Sequence, residues 1–392
     1  MPEAVAHPNR KELARFLLSR AAEPEAERAP ALAGTPRLGA IPFPEAVPAA
    51  APLPQDPDPG ASLPAADVVV MTWTADEARA LAHVFTPQRG LARWYSYDRN
   101  FESSYLSSIR AGAPARTMHR LARYMPATVG EHSVLCIKSE LHLNQDGIED
   151  RDAQDRGLGT ATLPVKDFFK QVMAETGARY FLTIGTAGSV FDEFGLGDVV
   201  ITRAARFRCT QEFRNEPFNG AVYTSDWPVP TTHVDAAEQL MATVTANLAQ
   251  PPVGAPSPAY PDDGELAEPT VSATRIRRDG DGTLPEFWPI LTTDYFEYGT
   301  TSNRLDQAGA GVEMGDAALG LAVQELPEGQ RPRWLVVRNM SDPVINGRLP
   351  AREFHLNEQT TWAVGFYTAY GYYTSINGAI ATWAVIAGLE QE

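Results

Sequence analysis

The chain has 392 residues, enough for one large domain or two ordinary ones, and its 44% apolar and 21% charged residues are typical of a globular protein. This composition excludes collagen-like, wholly disordered and disulfide-scaffold classes. Lys and Arg total 33 against 49 Asp and Glu, a formal net charge of -16, so nucleic acids and anionic membrane surfaces are poor partners.

The two cysteines, Cys136 and Cys209, lie far apart and outside any CxxC or Cys/His spacing. This usage favours reduced, buried thiols and argues against structural zinc. Charged residues near the N-terminus stand where a signal peptide would need an apolar core, so export is not expected. We therefore predict a cytoplasmic protein without a membrane-spanning segment.

Residues 1–66 are predicted to form an arm that precedes the folded domain. Residues 22–66 are rich in Ala, Pro and Glu and almost free of aromatic side chains. Such a composition buries too little apolar area to offset its conformational entropy. A short helix is expected over residues 11–22, and the folded domain over residues 67–392.

Strands and helices are predicted to alternate from residue 68 onward. The run VVVMTW predicts a strand, and TADEARALAHVF predicts a helix with one apolar face. A second strand is expected over residues 133–143. A helix follows over residues 164–176, with Thr162 as its possible cap and Gly177 just past its end.

The same alternation continues through the second half of the chain. ARYFLTI predicts a buried strand that ends in the Gly-rich turn GTAGS, and DVVITRAARF predicts a further strand. Repeated Pro, Gly and Asp over residues 250–285 predict an irregular excursion, either a surface insertion or a lid. Helical periodicity resumes at Val312, WLVVR is a predicted central strand, and residues 359–392 form one helix or two, interrupted near Gly371.

Four short segments follow predicted strands, where α/β proteins gather functional groups. They are TWTADE, GTAGS, TTDYF at 292–296 and RNMSD at 338–342. Each has an ordinary structural alternative. GTAGS could be only a turn, Asp342 could be a helix N-cap, and Glu77 could simply complement a helix dipole.

Taken together, the segments GTAGSVFDEFGLGDVVI, GVEMGDAALGLAV and WLVVRNMSDPV resemble the nucleoside phosphorylase and nucleosidase superfamily, whose members cleave the N-glycosidic bond of nucleosides. The resemblance covers about residues 67–204 and 290–390. It implies a three-layer phosphorylase/hydrolase-like α/β fold, with a central mixed twisted sheet flanked by helices and an insertion at about 205–289. It implies no cofactor and no metal, and its members are usually homo-oligomers.

The resemblance also implies roles for residues near the base and the sugar. Asp342 falls on the acid that donates a proton to the leaving purine base, helped by Ser341. Met314 would pack on the sugar. Phe296, with Tyr295 next to it, is the candidate for stacking on the base.

Two positions distinguish hydrolysis from phosphorolysis. Glu77 matches the water-positioning glutamate of the nucleosidases in the superfamily, which favours hydrolysis. Thr186 falls on the hydroxyl residue that holds phosphate or the attacking water, with the small residues Ala187 and Gly188 beside it. Phosphorylases commonly have an arginine where this chain has Thr183, so a phosphate would lack its usual cation.

We therefore expect the enzyme to hydrolyse a purine nucleoside or nucleotide-like substrate, with Asp342 protonating the base and Glu77 activating water. Asp342 needs a pKa well above its ordinary value for this role. Two alternatives stay open at this point. One is a phosphate-dependent purine nucleoside phosphorylase, and the other is a catalytically silent purine-binding module.

One position departs from the superfamily pattern. The ribose-binding acid follows Met directly in the superfamily, whereas this chain has Gly315 there. Glu313 or Asp316 could substitute for it after a small shift, although adjacent helix positions point about 100° apart. The sugar could instead be modified or deoxygenated, or held by the insertion, or activity could be lost.

Two further groups of residues have open roles. His142 and Asn144, after the second predicted strand, could reach the site or be structural. Arg203, Arg206 and Arg208 could bind a phosphorylated substrate or form a solvated strand edge.

Overall fold

The computed structural model describes residues 41–110, 112–143, 161–247, 274–348 and 358–390. The helix predicted over 11–22, Asn144, and most of the excursion predicted over 250–285 lie outside the described residues. Within these ranges, none of the helices combines the length and apolar character needed to cross a bilayer.

The described residues contain thirteen strands and six α-helices. The strands are β1 Ala49–Ala50, β2 Val68–Thr72, β3 Tyr95–Tyr97, β4 Ala122–Val129, β5 His132–Ser139, β6 Tyr180–Gly188, β7 Val199–Thr202, β8 Ala204–Phe207, β9 Val222–Thr224, β10 Ile276–Arg278, β11 Ile290–Thr292, β12 Gly311–Glu313 and β13 Arg333–Asp342. The helices are α1 Ala75–Phe85, α2 Pro114–Met118, α3 Pro164–Thr176, α4 Val234–Asn247, α5 Asp316–Gln324 and α6 Glu358–Ala387.

All thirteen strands belong to one mixed sheet. Its main path runs β1-β4-β5-β2-β6-β12-β11-β8-β9, while β13 pairs with both β6 and β7. The pairs β2 with β5, β2 with β6, and β6 with β13 are parallel, whereas β4 with β5 and β7 with β13 are antiparallel. Every residue of β2 is buried, as a strand with neighbours on both edges and helices on its faces requires.

Helices flank this sheet in two groups. Helix α6 packs on β6 and β13 and also contacts α1 and α4, while α3 packs against α5. The predicted α/β class, a central mixed sheet flanked by helices, is therefore confirmed. The C-terminal segment is one continuous helix that passes through Gly371 without interruption, and its aromatic residues Trp362, Tyr370, Tyr373 and Trp383 belong to the core.

Local sequence explains where the two best-predicted helices begin and end. Helix α1 starts at a capping box, in which the Thr74 hydroxyl accepts from the Glu77 N–H and the Glu77 carboxylate accepts from the Thr74 N–H. Helix α3 has the predicted bounds, and Gly177 ends it in the left-handed region with φ +61°. The predicted cap at Thr162 is wrong, because Leu163 holds the N-cap position and no side chain caps there.

Three predicted boundaries need correction. GTAG is not a turn but the last part of β6, and RNMSD lies inside β13. The helix expected from Val312 begins only at Asp316, because residues 311–313 pair as β12 with β11. The segment DVVITRAARF forms two strands separated at Arg203, since β7 pairs with β13 while β8 pairs with β11.

The described part of the predicted arm, residues 41–66, packs on the domain. Ala49 and Ala50 pair with β4. The Phe43 ring lies 4.8 Å from the Trp383 ring, and the Trp383 indole N–H donates to the Ala46 carbonyl at 2.9 Å. The prediction from composition therefore does not hold for residues 41–66, because a few apolar side chains meet a large buried ring.

The region predicted as an insertion, 205–289, contributes strands to the sheet as well as helix α4. Strands β8 and β9 extend the sheet beyond β11, and β10 pairs in parallel with β7. Cys136 and Cys209 are buried free thiols, as expected.

Candidate active site

A cavity lies at the carboxyl ends of β2, β6 and β13, where the parallel strands deliver side chains to one edge. It is lined by residues from all four segments that the sequence singled out, together with helix residues. The lining residues are Trp73, Thr74, Glu77, His142, Thr186, Ala187, Gly188, Thr293, Phe296, Glu297, Val312, Glu313, Met314, Arg338, Ser341, Asp342 and Tyr367.

Glu77 joins the end of β2 to the end of β6. One carboxylate oxygen, Oε2, accepts from the Thr72 hydroxyl at 2.9 Å and from the backbone N–H groups of Trp73 and Thr74 at 3.1 and 2.9 Å. The other oxygen, Oε1, accepts from the Thr186 N–H at 2.9 Å and the Thr186 hydroxyl at 2.7 Å. Glu77 therefore caps helix α1 and also lines the cavity.

The pKa of Glu77 follows from these contacts. Burial alone would raise the pKa of this carboxyl, but the positive charge of Arg338 and the hydrogen bonds from Thr186 and Thr74 outweigh burial and lower it. Glu77 is therefore ionised throughout the neutral range.

Arg338 is a buried cation surrounded by three carboxylates. It donates to both oxygens of Asp316, with Nε to Oδ2 at 2.7 Å, and its Nη2 lies 3.1 Å from Glu313 Oε2. The charge of Glu77 also acts on it. Burial lowers the pKa of Arg338, but the three carboxylates outweigh burial and raise it, so the guanidinium stays charged.

Gly185 permits the close approach of Glu77 and Arg338. A Cβ at this position would lie 2.5 Å from Arg338 Nη1 and 2.8 Å from Glu77 Oε1, far inside van der Waals contact. The first glycine of the GTAGS segment is therefore needed because two charged side chains pack against its backbone, and not because the chain turns there.

Glu313 stands at the end of β12 and folds back over the start of α5. Its Oε2 accepts from the Gly315 N–H at 2.5 Å, and its Oε1 accepts from the Asp316 N–H at 2.9 Å and from the Thr292 hydroxyl. Burial and the neighbouring Asp316 carboxylate raise the pKa of Glu313 to about 7, against the lowering effect of Arg338. This carboxyl, and not that of Asp316, faces the cavity.

Asp342 reaches the cavity through an irregularity in β13. The pairing of β13 with β6 shifts between Met340 and Asp342, so that Asp342 lies opposite Gly188. In a regular strand neighbouring side chains point to opposite faces, but a bulge re-aims one of them. Ser341 and Asp342 both line the cavity as a result.

The surroundings of Asp342 keep its carboxyl poorly solvated. The Ser341 hydroxyl donates to Oδ1 at 3.0 Å, whereas buried Oδ2 has no hydrogen-bond partner in the part of the chain that the structure describes. Burial raises the pKa of Asp342 to about 7, and the Ser341 hydrogen bond only partly opposes this. A group with this pKa can hold a proton at neutral pH and give it up.

Most residues predicted for the site line the cavity together. These are Glu77, Thr186, Ala187, Gly188, Phe296, Glu313, Met314, Ser341 and Asp342. Two others do not line it. Tyr295 is buried elsewhere. Asp316, the first residue of α5, is fully buried, and both of its carboxylate oxygens accept from Arg338.

Two residues with evident importance for the site had no predicted role. Arg338 stands in the RNMSD segment, four residues before Asp342, and the spacing places it on the same strand. Trp73 stands in TWTADE, and its ring lies 4.9 Å from the Arg338 guanidinium carbon. The sequence carried no signal for the role of Arg338, because the acids that surround it, Glu77, Glu313 and Asp316, are brought to it only by the fold.

The residues with open roles are also placed. His142 lines the cavity, its ring 6.0 Å from that of Trp73. Arg203 is paired with Asp279 and Glu286, and Arg208 donates to Glu297 at 3.0 Å. Neither arginine lines the cavity, although Glu297, the partner of Arg208, does.

A larger groove lies at the opposite end of the central strands. It is lined by Tyr180 at the start of β6, Trp334 near the start of β13, and residues 222–232. None of the residues predicted for the site lines it. The chemistry-bearing side chains are gathered at the smaller cavity.

Comparison with known proteins gives structural matches only. No protein-family model matches the chain, and no curated protein matches its sequence. One similar structure is the 5'-methylthioadenosine/S-adenosylhomocysteine nucleosidase from Neisseria meningitidis in complex with methylthio-immucillin-A, at 12% identity and TM-score 0.44, covering 82% of this chain and 99% of that chain.

Two further structures match in the same way. The futalosine hydrolase of Helicobacter pylori is 10% identical with TM-score 0.43, covering 82% of this chain and 97% of that chain. The Streptococcus pneumoniae MTA/SAH nucleosidase in complex with 8-aminoadenine is 14% identical with TM-score 0.40, covering 82% and 100%.

These three proteins belong to the superfamily that the sequence motifs resemble. At such low identities and TM-scores, the likeness by itself indicates nothing about activity.

Proposed function

We propose that this protein hydrolyses the N-glycosidic bond of a purine nucleoside or nucleotide-like substrate. One observation carries the proposal. Two carboxyl groups line a single cavity, and their surroundings move their pKa values in opposite directions, raised to about 7 for Asp342 and lowered for Glu77. Carboxyl pairs separated in this way are suited to an acid role and an anionic role in one reaction.

Asp342 takes the acid role. Cleavage of the bond between the sugar C1′ and the base nitrogen leaves the bonding electron pair on the base. A proton passes from Asp342 to the base, which turns an anionic leaving group into a neutral one. The free Oδ2 is the atom available for this transfer, since Oδ1 is held by Ser341.

Glu77 takes the role of orienting and activating water. Its two oxygens are already met by five donors. The Thr186 hydroxyl can rotate, however, which opens a place on Oε1 for a water molecule. The water oxygen then bonds to C1′, and its proton is taken up at Glu77.

The charge around the cavity suits a cationic sugar. Cleavage gives C1′ the character of an oxocarbenium ion, which anions stabilise. Glu77, Glu313 and Asp316 surround one cation, Arg338. When all three carboxylates are ionised, the cluster has a net negative charge. Because the site contains little water to screen it, this charge stabilises a cationic sugar strongly.

The same arrangement disfavours phosphorolysis. A phosphate ion would have to enter beside the ionised Glu77 carboxylate, whose negative charge repels it, and the fixed backbone N–H of Thr186 is already given to that carboxylate. Arg338 is bound on Asp316 and Glu313 and is not free to neutralise an added dianion. Thr183 is fully buried and does not line the cavity. We therefore propose hydrolysis over phosphate-dependent cleavage.

A substrate panel tests the proposal. Purine nucleosides and nucleoside monophosphates are incubated with the full chain, with and without inorganic phosphate, and free bases are separated by chromatography. We expect base release that does not need phosphate. Release that requires phosphate would show a phosphorylase, and tight binding in calorimetry without release would show a silent purine-binding protein.

A further inference from the structure

The position of Gly315 is filled by other residues. A Cβ on Gly315 would lie 3.1 Å from Trp73 Cζ2 and 3.6 Å from Glu313 Oε2. Contacts of 3.1 Å are tighter than ordinary carbon contacts, and the indole is buried against Phe169 and His142 and cannot move aside easily. Trp73 therefore occupies the space into which an acidic side chain at position 315 would extend.

Three carboxylates lie near Gly315, and the first of them, Glu313, has most of its acceptor sites occupied. Glu313 accepts three hydrogen bonds and lies in an ion pair with Arg338. Two of its donors are backbone N–H groups. The third, the Thr292 hydroxyl, is itself held by the Ala317 N–H at 2.8 Å. A carboxylate offers about four such sites, so Glu313 has little left for a ligand.

Asp316 and Glu77 offer no better acceptor for a sugar. Both oxygens of Asp316 are on Arg338, and this residue does not line the cavity. Glu77 can open one place by rotation of the Thr186 hydroxyl, and the attacking water uses it. None of the three carboxylates around Gly315 therefore offers the pair of acceptor sites that two neighbouring ribose hydroxyls need, and burying a hydroxyl without an acceptor is costly.

One donor, by contrast, is free. Trp73 is only 3% exposed and lines the cavity, and its indole N–H has no hydrogen-bond partner among the residues described. Buried polar groups of this kind are normally satisfied. A ligand oxygen that accepts this N–H would satisfy it.

From this pattern we infer that the sugar subsite selects a 2′-deoxyribosyl substrate, whose remaining ring hydroxyl, at C3′, accepts a hydrogen bond from the Trp73 indole N–H. The inference rests on the proposed function and names its substrate class. The second hydroxyl is disfavoured because Glu313 has little acceptor capacity left and Gly315 lacks a carboxylate.

Affinity is the proper test, because ribosyl and deoxyribosyl bonds differ in intrinsic lability. Adenosine and 2′-deoxyadenosine are titrated by calorimetry into full-length Asp342→Asn, which holds the ligand without turning it over. The matched inosine and guanosine pairs are titrated as well, since the base is not fixed. We expect the deoxy form of the pair that binds to be favoured by at least about tenfold. Equal affinity, or tighter binding of the ribosyl form, would overturn the inference.

Trp73→Phe tests the donor, because it keeps a ring over Gly315 and removes only the N–H. Combined with Asp342→Asn, it is expected to weaken 2′-deoxyadenosine about tenfold while changing the affinity for 2′,3′-dideoxyadenosine less than about twofold. The corresponding inosine or guanosine analogues serve if those bases bind. An equal loss for both analogues would mean that Trp73 has only a packing role, and no loss for either would remove it from the subsite.

The proposed function can fail independently of this inference. If the wild-type protein releases base from ribosyl and deoxyribosyl nucleosides and binds both equally, the sugar selectivity is wrong and the hydrolase stands. If it releases no base from any of these nucleosides, the proposed function itself is wrong.

Discussion

Thr186 donates both its backbone N–H and its hydroxyl to a single oxygen of Glu77, at 2.9 and 2.7 Å. The two residues are 109 positions apart in the chain, and the contact ties the start of α1 to the end of β6. In the proposed reaction this contact leaves an ionised carboxylate beside Thr186, which is the reason we propose water and not phosphate as the attacking group.

Replacing Glu77 by Gln removes the anion and sets an amide N–H₂ against groups that are themselves donors. We expect base release to fall by about 10² or more, with a smaller effect on purine affinity. The free energy of unfolding should fall by about 3 kcal/mol, since Arg338 loses a buried counter-charge. Denaturant unfolding and a base-release assay measure the two effects.

The matched control for Glu77→Gln is Glu131→Gln, because Glu131 is exposed in the turn after β4. It should leave both quantities unchanged within about 0.5 kcal/mol. If Glu77→Gln lowers purine affinity as much as turnover, Glu77 is a structural residue only.

Asp342→Asn should stabilise the protein while abolishing most of its activity. Burial raises the pKa of Asp342 to about 7 from an ordinary value of 3.8. Stability associated with this group is therefore complete below about pH 4 and is lost as the pH rises through 7. At and above pH 7 the loss is at most about 4 kcal/mol.

The neutral amide of Asp342→Asn does not pay this electrostatic cost, so its unfolding free energy should exceed that of the wild type at pH 8 and not at pH 4. Chemical denaturation at both pH values measures the difference. A variant less stable than the wild type at pH 8 would mean that the carboxylate has a stabilising partner.

The pH dependence of base release should report the acid directly. Because Asp342 must carry a proton to donate it, kcat/KM should fall as the pH rises through about 7. The pKa of Glu77 is lowered, so its protonation should reduce activity only at clearly acidic pH. A rate that rises continuously between pH 6 and 9 would exclude Asp342 as the proton donor.

Gly188 is a position where a single added methyl group should disturb the cavity next to Asp342. A Cβ there would lie 2.9 Å from Asp342 Oδ2 and 2.9 Å from Val312 Cγ2. We expect Gly188→Ala to cost about 1–3 kcal/mol of stability and to lower base release. Gly90→Ala is the control, because nothing lies within 4 Å of its added Cβ, and thermal unfolding together with the release assay compares the two.

Most of the strands and helices could be predicted from short-range patterns. The bounds of α3 followed from Pro164 at its start and Gly177 at its end. Strand ends were less predictable, because β6 and β13 continue through polar and glycine residues as long as their neighbours pair with them. Periodicity in one segment carries no information about such neighbours.

In the site, too, some residues could be predicted from local sequence, and others depend on contacts made only in the fold. Individual residues such as Asp342 and Glu77 stood at recognisable strand ends, and the structure brings both to one cavity. The use of Gly185 to let Arg338 approach Glu77, and the filling of the Gly315 position by Trp73, could not be predicted. Both are contacts between segments far apart in sequence, and they determine which carboxylates can accept hydrogen bonds from a ligand.

The central claim is that Asp342 and Glu77 act together on one sugar–base bond with water as the nucleophile. The most direct measurement is turnover of a purine nucleoside panel in phosphate-free buffer made with water enriched in heavy oxygen, followed by mass spectrometry of the released sugar. We predict free base together with a sugar that carries the heavy atom at C1′, and loss of both products in Asp342→Asn and Glu77→Gln. Unlabelled sugar 1-phosphate formed only when phosphate is added, or undiminished turnover in either variant, would contradict the claim.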